Sequence, residues 1–332
     1  MSHSNKKLNN QFYSLSSDEV LNSVEKALGR TQLGERATGS LLALNSLENR
    51  VYQMEFEDKF RVVTKFYRPG RWNRIQLQEE HDFLAKLQEA EVPAVAPLSL
   101  KGFNNGTLGE TADGIFFTVF PSVGGRLLDE LTPTHLDVLG RHLARIHSVG
   151  ANFRSSSRKR IDVNTFGRIP LQRLIDQECF ETAALQSQYE NICEQVFVRA
   201  EPLLSWCKYI RVHGDCHLGN TLWRDEQAFF LDFDDLCLAP AVQDIWMIIR
   251  GRDQEAVDQR EAILKAYRQM YDFDPAELDL IESLRALRII HYSGWIAERW
   301  EDPSFQRAFP DFMSARYWQD EISELYRALE AN

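Results

Sequence analysis

The sequence predicts an α+β chain with a small lobe built on an antiparallel sheet and one key helix, followed by a larger, mostly helical lobe. Three observations carry this. Alternating polar and apolar residues dominate the first third of the chain, most clearly at Arg50–Glu57 and Phe60–Phe66. The run Pro121-Ser122-Val123-Gly124-Gly125 then breaks the pattern sharply. Beyond it, apolar residues recur at helical spacing almost to the end. The 332 residues fit about two domains of roughly 150 residues each, placed at 1–121 and 122–332.

Each element has a local cause. Ser16-Ser17-Asp18-Glu19 forms a capping-box pattern ahead of Val20, Leu21, Val24 and Leu28, and Gly29 is a natural stop. In the first strand Tyr52, Met54 and Phe56 share a face. In the second, Phe60, Val62, Thr64 and Phe66 point one way and Val63 and Lys65 the other. Glu57-Asp58-Lys59 supplies the turn between them. A helix is expected from about Asn73 to Ala90. Ile115–Phe120 reads as a buried strand. Thr132-Pro133 caps a helix carrying Leu136, Leu139, Leu143 and Ile146. Further helices are expected at about 171–206, 241–250, 254–271, 275–300 and 314–330. The basic loop Arg154–Arg160 reads as a solvated connection.

Composition narrows the function. A net charge of −11 and a pI of 5.3 argue against general nucleic-acid binding and against anionic membrane surfaces. No apolar run has the length of a membrane span. Met1–Asn10 is polar, without the apolar core of a signal peptide. The five cysteines are odd in number, widely spaced and lack a C-x-x-C, so reduced thiols in a cytoplasmic protein are expected.

The chemistry concentrates in two stretches, His213-Gly214-Asp215-Cys216-His217-Leu218-Gly219-Asn220 and Leu231-Asp232-Phe233-Asp234-Asp235. Asp215 can accept a proton from a hydroxyl while Asn220 and Asp232 supply the hard oxygen donors that magnesium prefers alongside phosphate. The spacing follows the phosphoryl-transfer loop H-R-D-x-x-x-x-N, with Gly214 in place of the arginine. A second D-F-D, at Asp272–Asp274, reads as a helix cap, so the tripeptide alone says little. His213, Asp215 and His217 as zinc ligands of a hydrolase form the weaker reading, since no H-E-x-x-H or second cluster completes a site. His217 alone reads as a structural hydrogen-bonding residue.

Val62-Val63-Thr64-Lys65 matches the strand whose lysine binds nucleotide phosphates. A lysine in an apolar strand needs an anion. Glu80 shares a helix face with Phe83, Leu84 and Leu87, which makes it the expected partner, whereas Glu79 reads as solvated. Backbone groups of Phe120, Ser122 and Val123 are expected to face adenine, with Val63 packing on the ring and Gly124-Gly125 letting the lobes rotate. Together these pieces point to a bilobal protein-kinase-like fold.

These stretches are similar to the aminoglycoside-phosphotransferase and choline-kinase-like superfamily. Four longer strings resemble, more specifically, the bacterial stress response kinase A family: Leu44–Gln53, Lys65–Pro69, Phe120–Arg126 and Pro240–Met247. The resemblance spans about residues 40–320. It implies a cytoplasmic serine/threonine protein kinase of the EC 2.7.11.1 type that uses ATP and Mg2+ and is linked to stress survival. Asp215 would be the catalytic base, Asp232 would act beside it, Asn220 and Asp232 would bind the metal, and Ser46 would lie at the ATP phosphates. Asn49, in the same loop, is a further nucleotide-binding candidate. The expected partners are ATP and a protein with a Ser/Thr acceptor, and the chain is expected to act as a monomer.

Two features depart from ordinary protein kinases. No G-x-G-x-x-G is present, so the Asn45–Arg50 loop must cradle phosphates instead. Only 12 residues separate Asp232 from Asp244 and no A-P-E follows, which leaves little room for an activation loop. Asp244 is expected to hydrogen-bond the catalytic loop. The alternatives are a small-molecule kinase for an amino sugar, choline or homoserine, for which Asp234 and Asp235 would suit a cationic acceptor, and an ATP-binding pseudokinase.

Overall fold

A computed structural model describes residues 11–154 and 157–331 of the chain. The polar Met1–Asn10 stretch and Ser155-Ser156 of the basic loop lie outside the described residues. Two compact units are present. The first runs to Leu131 and takes in Leu218–Asp234, and the second comprises Thr132–His217 and Asp235 onward. A single cut after residue 121 therefore differs from the observed division mainly at 218–234.

In the first unit, Ser16 and Glu19 close the capping box that starts α1 (Ser17–Leu28), and Gly29 ends it. Five strands follow: β1 (Ala37–Leu44), β2 (Arg50–Phe56), β3 (Arg61–Phe66), β4 (Gly109–Glu110) and β5 (Phe116–Pro121). They form one antiparallel sheet in the order β1-β2-β3-β5-β4. β1 carries no clean alternation, since most of its side chains are exposed at the sheet edge, which is why the sequence did not reveal it. Val20, Val24, Ala27 and Leu28 of α1 bury one sheet face together with Met54, Phe56, Val62, Phe66, Phe117 and Val119. Burying such side chains contributes about 1.5–3 kcal/mol each. The other face carries Gln53, Val63 and Lys65, because Gln53 pairs with Val63 and Val51 with Lys65.

Helix α2 (Arg74–Glu89) starts at Asn73, whose side chain accepts from the Gln76 amide. Glu79 is buried along with Leu77, Glu80, His81, Phe83, Leu84 and Leu87, contrary to the solvated position expected for it. The covered face is wider than the single apolar stripe suggested.

A hairpin from far along the chain completes this unit. β7 (Thr221–Arg224) and β8 (Gln227–Phe230) pair antiparallel. The Phe230 amide donates to Pro93 O at 2.9 Å and the Val95 amide to Phe230 O at 3.2 Å. Arg126 and Trp223 exchange two backbone bonds of 3.0 and 2.8 Å. A Cβ on Gly125 would stand 2.9 Å from that of Leu222. Gly125 thus serves close approach to the hairpin, while Gly124 faces open space.

The second unit contains α3 (Pro133–Asn152), α4 (Ile169–Asp176), α5 (Ala183–Ser205), α6 (Val242–Ile248), α7 (Gln254–Tyr267), α8 (Ile281–Glu298), α9 (Pro303–Ala308) and α10 (Ala315–Glu330), with a short antiparallel pair, β6 (Ile210–Val212) and β9 (Cys237–Ala239). The helix expected over 171–206 is two helices. Glu178 adopts a φ of +51° between them, and Thr182 caps the second by accepting from the Leu185 amide. The stretch expected as one helix over 275–300 opens as a 3-10 turn at Pro275–Leu280 before α8. The five cysteines are all free thiols. Among the described residues no helix is long and apolar enough to cross a membrane.

Candidate active site

Lys65 sits on β3 and is buried. Its Nζ donates to Asp232 Oδ1 at 2.6 Å and lies 3.9 Å from Glu80 Oε1. Burial alone would lower the lysine pKa, but the carboxylates of Asp232, Asp234 and Glu80 outweigh it and hold the ammonium well above its usual range. The rings of Tyr67 and Phe120 stand 5.5 and 5.8 Å from Nζ. The expected Lys65–Glu80 pair is present, and Asp232 is the nearer carboxylate.

The β7–β8 hairpin positions the other oxygen donors of this unit. Thr221 opposes Phe230, and the Leu231 amide donates to Asn220 O at 2.9 Å. Asn220 and Asp232 therefore stand at the same open end of the hairpin. Asp232 takes a φ of +57° and leaves 49% of its side chain exposed. An aspartate tolerates this left-handed conformation better than most residues. One exposed carboxylate beside one amide oxygen fits a magnesium ion that keeps waters and phosphate oxygens as its remaining ligands. Among the described residues no group of three or more His, Cys, Asp or Glu is arranged to hold a metal.

The loop between β1 and β2 is braced from within. Ser46 is exposed, and its Oγ accepts from the Asn49 amide at 3.2 Å. Asn49 is buried; its Nδ2 donates to Asp234 Oδ2 at 3.0 Å and its Oδ1 accepts from the Arg68 amide at 3.1 Å. The Asn49 side chain is thus engaged within the protein. Arg71 also pairs with Asp234, and Arg68 Nε lies 3.3 Å from Glu48 Oε1. Asp234 is consequently committed to Arg71 and Asn49. Val63, Phe120, Ser122 and Val123 are half-buried, and Ser122 Oγ accepts from Gln53 Nε2 at 3.1 Å while its amide donates to Arg61 O.

Asp215 belongs to the second unit, on the loop after β6. Asp244, fully buried near the start of α6, anchors that loop. Its Oδ2 accepts from the His213 amide at 2.8 Å and its Oδ1 from the Gly214 amide at 2.9 Å. His147 Nε2 lies 3.0 Å from Asp244 Oδ2, and His147 Nδ1 lies 2.9 Å from the Tyr267 hydroxyl. Gly214 has a φ of +85°, and a Cβ there would come within 2.2 Å of Asp235 O. That contact explains the glycine in place of an arginine: no side chain fits.

Arg288 and His217 flank Asp215. Arg288 on α8 donates from Nη2 to Oδ1 at 2.6 Å, and His217 Nε2 lies 3.5 Å from Oδ2. Burial would raise the carboxyl pKa, but the His217 hydrogen bond and the charges of Arg288, His217 and His213 reverse this and hold it well below the usual carboxylate range. His217 is therefore more than the lone structural residue the sequence suggested. Arg288 has no signal in the sequence, being 73 residues beyond Asp215 on an ordinary charged helix.

An ionised aspartate in a rigid loop, and separately a buried lysine with oxygen donors at a hairpin end, are the parts phosphoryl transfer needs. Residues 40–281 match the phosphotransferase enzyme family. The chain belongs to that family. Among its relatives within it, stress response kinase A of Escherichia coli (strain K12) is 40% identical over 288 residues, covering 86% of this chain and 85% of that one. A serine/threonine protein kinase of Salmonella typhimurium (strain LT2) is 40% identical over 295 residues, or 86% of each chain. The phosphotransferase fold also appears in an amicoumacin kinase solved with AMP-PNP and Ca2+, at a TM-score of 0.74 and 17% identity, covering 98% of this chain and 96% of that one.

Proposed function

We propose that this phosphotransferase is an ATP- and magnesium-dependent, cytoplasmic protein kinase that phosphorylates serine or threonine. The observation that carries the reading is the 2.6 Å bond from buried Lys65 to Asp232, placed by the same hairpin end that presents Asn220. The names of the relatives support the protein acceptor.

In this mechanism Asp215 orients the acceptor hydroxyl and takes its proton through a carboxylate oxygen. The acceptor oxygen bonds to the γ-phosphorus as the bond to the ADP oxygen breaks. Lys65 would neutralise phosphate charge, exchanging part of its contact with Asp232 for the nucleotide. Magnesium, held by Asn220 and Asp232, would supply further charge neutralisation on the phosphates. The exposed Ser46 and the amides of its loop would meet the phosphates. Asn49 would act by holding that loop in shape. Val63 and the backbone of Phe120–Val123 would receive the adenine.

The small-molecule alternative loses part of its support, because Asp234, one of the two acids that would suit a cationic acceptor, is occupied by Arg71 and Asn49. The test is transfer of label from ATP to generic protein substrates and, separately, to amino alcohols and amino sugars. Asp215→Asn should abolish transfer and keep ATP binding within a few-fold. Undiminished transfer by that variant overturns the mechanism, and labelling confined to amino alcohols or sugars overturns the protein acceptor.

A further inference from the structure

We infer that Arg288 is a specificity-determining residue that selects acceptors carrying a carboxylate close to the reacting hydroxyl. The inference rests on Asp215 being the base of the phosphotransfer proposed above.

The chain carries a net charge of −11, yet Asp215 has the guanidinium of Arg288 against it in its own unit. Arg288 touches the carboxylate at 2.6 Å and keeps 30% of its side chain exposed. A guanidinium has five N–H donors in a planar fork, and among the described residues its hydrogen bond goes from Nη2 to Asp215. The rest of the fork can receive a carboxylate in the two-pronged geometry that arginine favours.

The neighbouring helix positions strengthen the case. His291 stacks on Phe166 with centroids 4.1 Å apart. Burial first, and then Lys159, Arg288, Arg299 and Arg173, hold His291 well below its ordinary pKa. Arg173 and Arg299 share Glu298, at 3.1 and 2.7 Å. Arg250 is also disfavoured as a cation, by burial and then by Arg288. One turn beyond Arg288, Tyr292 is 42% exposed and stacks on Trp295 at 5.4 Å. An acceptor approaching Asp215 in this unit meets a positive fork edged by aromatic surface. Like-charge contact disfavours an ammonium there and opposite charge favours a carboxylate.

The experiment measures kcat/KM on serine and threonine peptides whose flanking positions are Asp, Ala or Lys, alongside small hydroxyl compounds bearing a carboxylate or an ammonium. The expected wild-type result is a preference of about tenfold for the acidic arm, the worth of one charge-assisted contact. Arg288→Gln should lower kcat on all arms through Asp215 and bring the acidic-to-basic ratio close to one, mainly by raising KM for acidic peptides. Arg288→Lys should restore part of the ratio. A wild-type preference for basic or neutral arms overturns the inference, as does a ratio that survives Arg288→Gln. Labelling of small compounds but no peptide would refute the protein acceptor alone, and the carboxylate-to-ammonium ratio would then decide the role of Arg288 on the same terms.

Discussion

Replacing Gly214 by alanine tests whether the loop geometry around Asp215 is as tightly determined as it looks. The residue needs a φ of +85°, which costs a side chain about 1–2 kcal/mol. The added Cβ would also lie 2.2 Å from Asp235 O and 2.9 Å from Cys237 Sγ. Relieving such overpacking typically costs about 1–3 kcal/mol. The sum is a loss of about 2–5 kcal/mol. Asp244 opposes the shift, since its carboxylate accepts from the amides of His213 and Gly214, on either side of the His213 Cα, at 2.8 and 2.9 Å. Movement should therefore pass to Asp215, and displacing a reacting group by about 1 Å can cost on the order of a hundredfold in rate. Gly124→Ala is the control, because a Cβ there meets nothing within 4 Å. Urea denaturation followed by tryptophan fluorescence gives the stability change, and single-turnover transfer gives the rate. Equal midpoints for Gly214→Ala, Gly124→Ala and wild type would refute the packing argument. A large stability loss with unchanged transfer would refute the link from Gly214 to Asp215.

The depressed pKa of Asp215 predicts that the base stays ionised well into acid, so transfer should persist below pH 5 wherever the fold does; His217→Ala should move the acid limb of kcat/KM upward. Lys65→Met removes the ammonium that Asp232 and buried Glu80 face and should cost about 3–5 kcal/mol, measured by denaturation, while weakening nucleotide affinity in calorimetry. Asn49→Ala removes one bond to Asp234 and one to the Arg68 amide; a stability loss of about 2 kcal/mol with a raised KM for ATP is expected. Glu321 accepts from Ser293 Oγ at 3.0 Å, and burial pushes its pKa up to about 7. The folded state thus holds a proton that the unfolded chain releases near pH 4.5, so stability should fall as pH rises from about 4.5 to about 7 and level off above; Glu321→Gln should flatten that slope in pH-dependent melts.

Local signals made much of the fold legible. Ser16, Asn73 and Thr132 mark helix starts because a side-chain oxygen at the cap satisfies a specific amide. Alternation placed Val63 and Lys65 on one face of β3 because a strand side-chain period leaves no other choice. The break between α4 and α5 was hidden, since Glu178 in a left-handed conformation looks like any helix acid. Glu79 was misplaced because the apolar stripe of α2 says nothing about what later segments cover. For the site, the spacing of Asp215, Asn220 and Asp232 was visible along the chain, whereas Arg288 depends on which turn of α8 meets the loop. Asp234 seemed available because two adjacent acids look alike until Arg71 and Asn49 are seen to claim one of them.

The return of 218–234 to the first unit also sets an order of events during synthesis. Lys65 reaches Asp232 across 167 positions, and Asn49 and Arg71 reach Asp234 across 185 and 163. The sheet can pair once β5 leaves the ribosome, but Lys65 and Arg71 then wait for about 110 more residues, or roughly 6–20 s of translation, to meet Asp232 and Asp234. Throughout that interval Lys65 has Glu80 and Arg71 has Glu48 at 3.9 Å, and the nearer carboxylates, Asp232 and Asp234, arrive only with the later hairpin. A chain released before Asp232 would keep Glu80 and Glu48 but lack the closer carboxylates that the hairpin brings to Lys65 and Arg71.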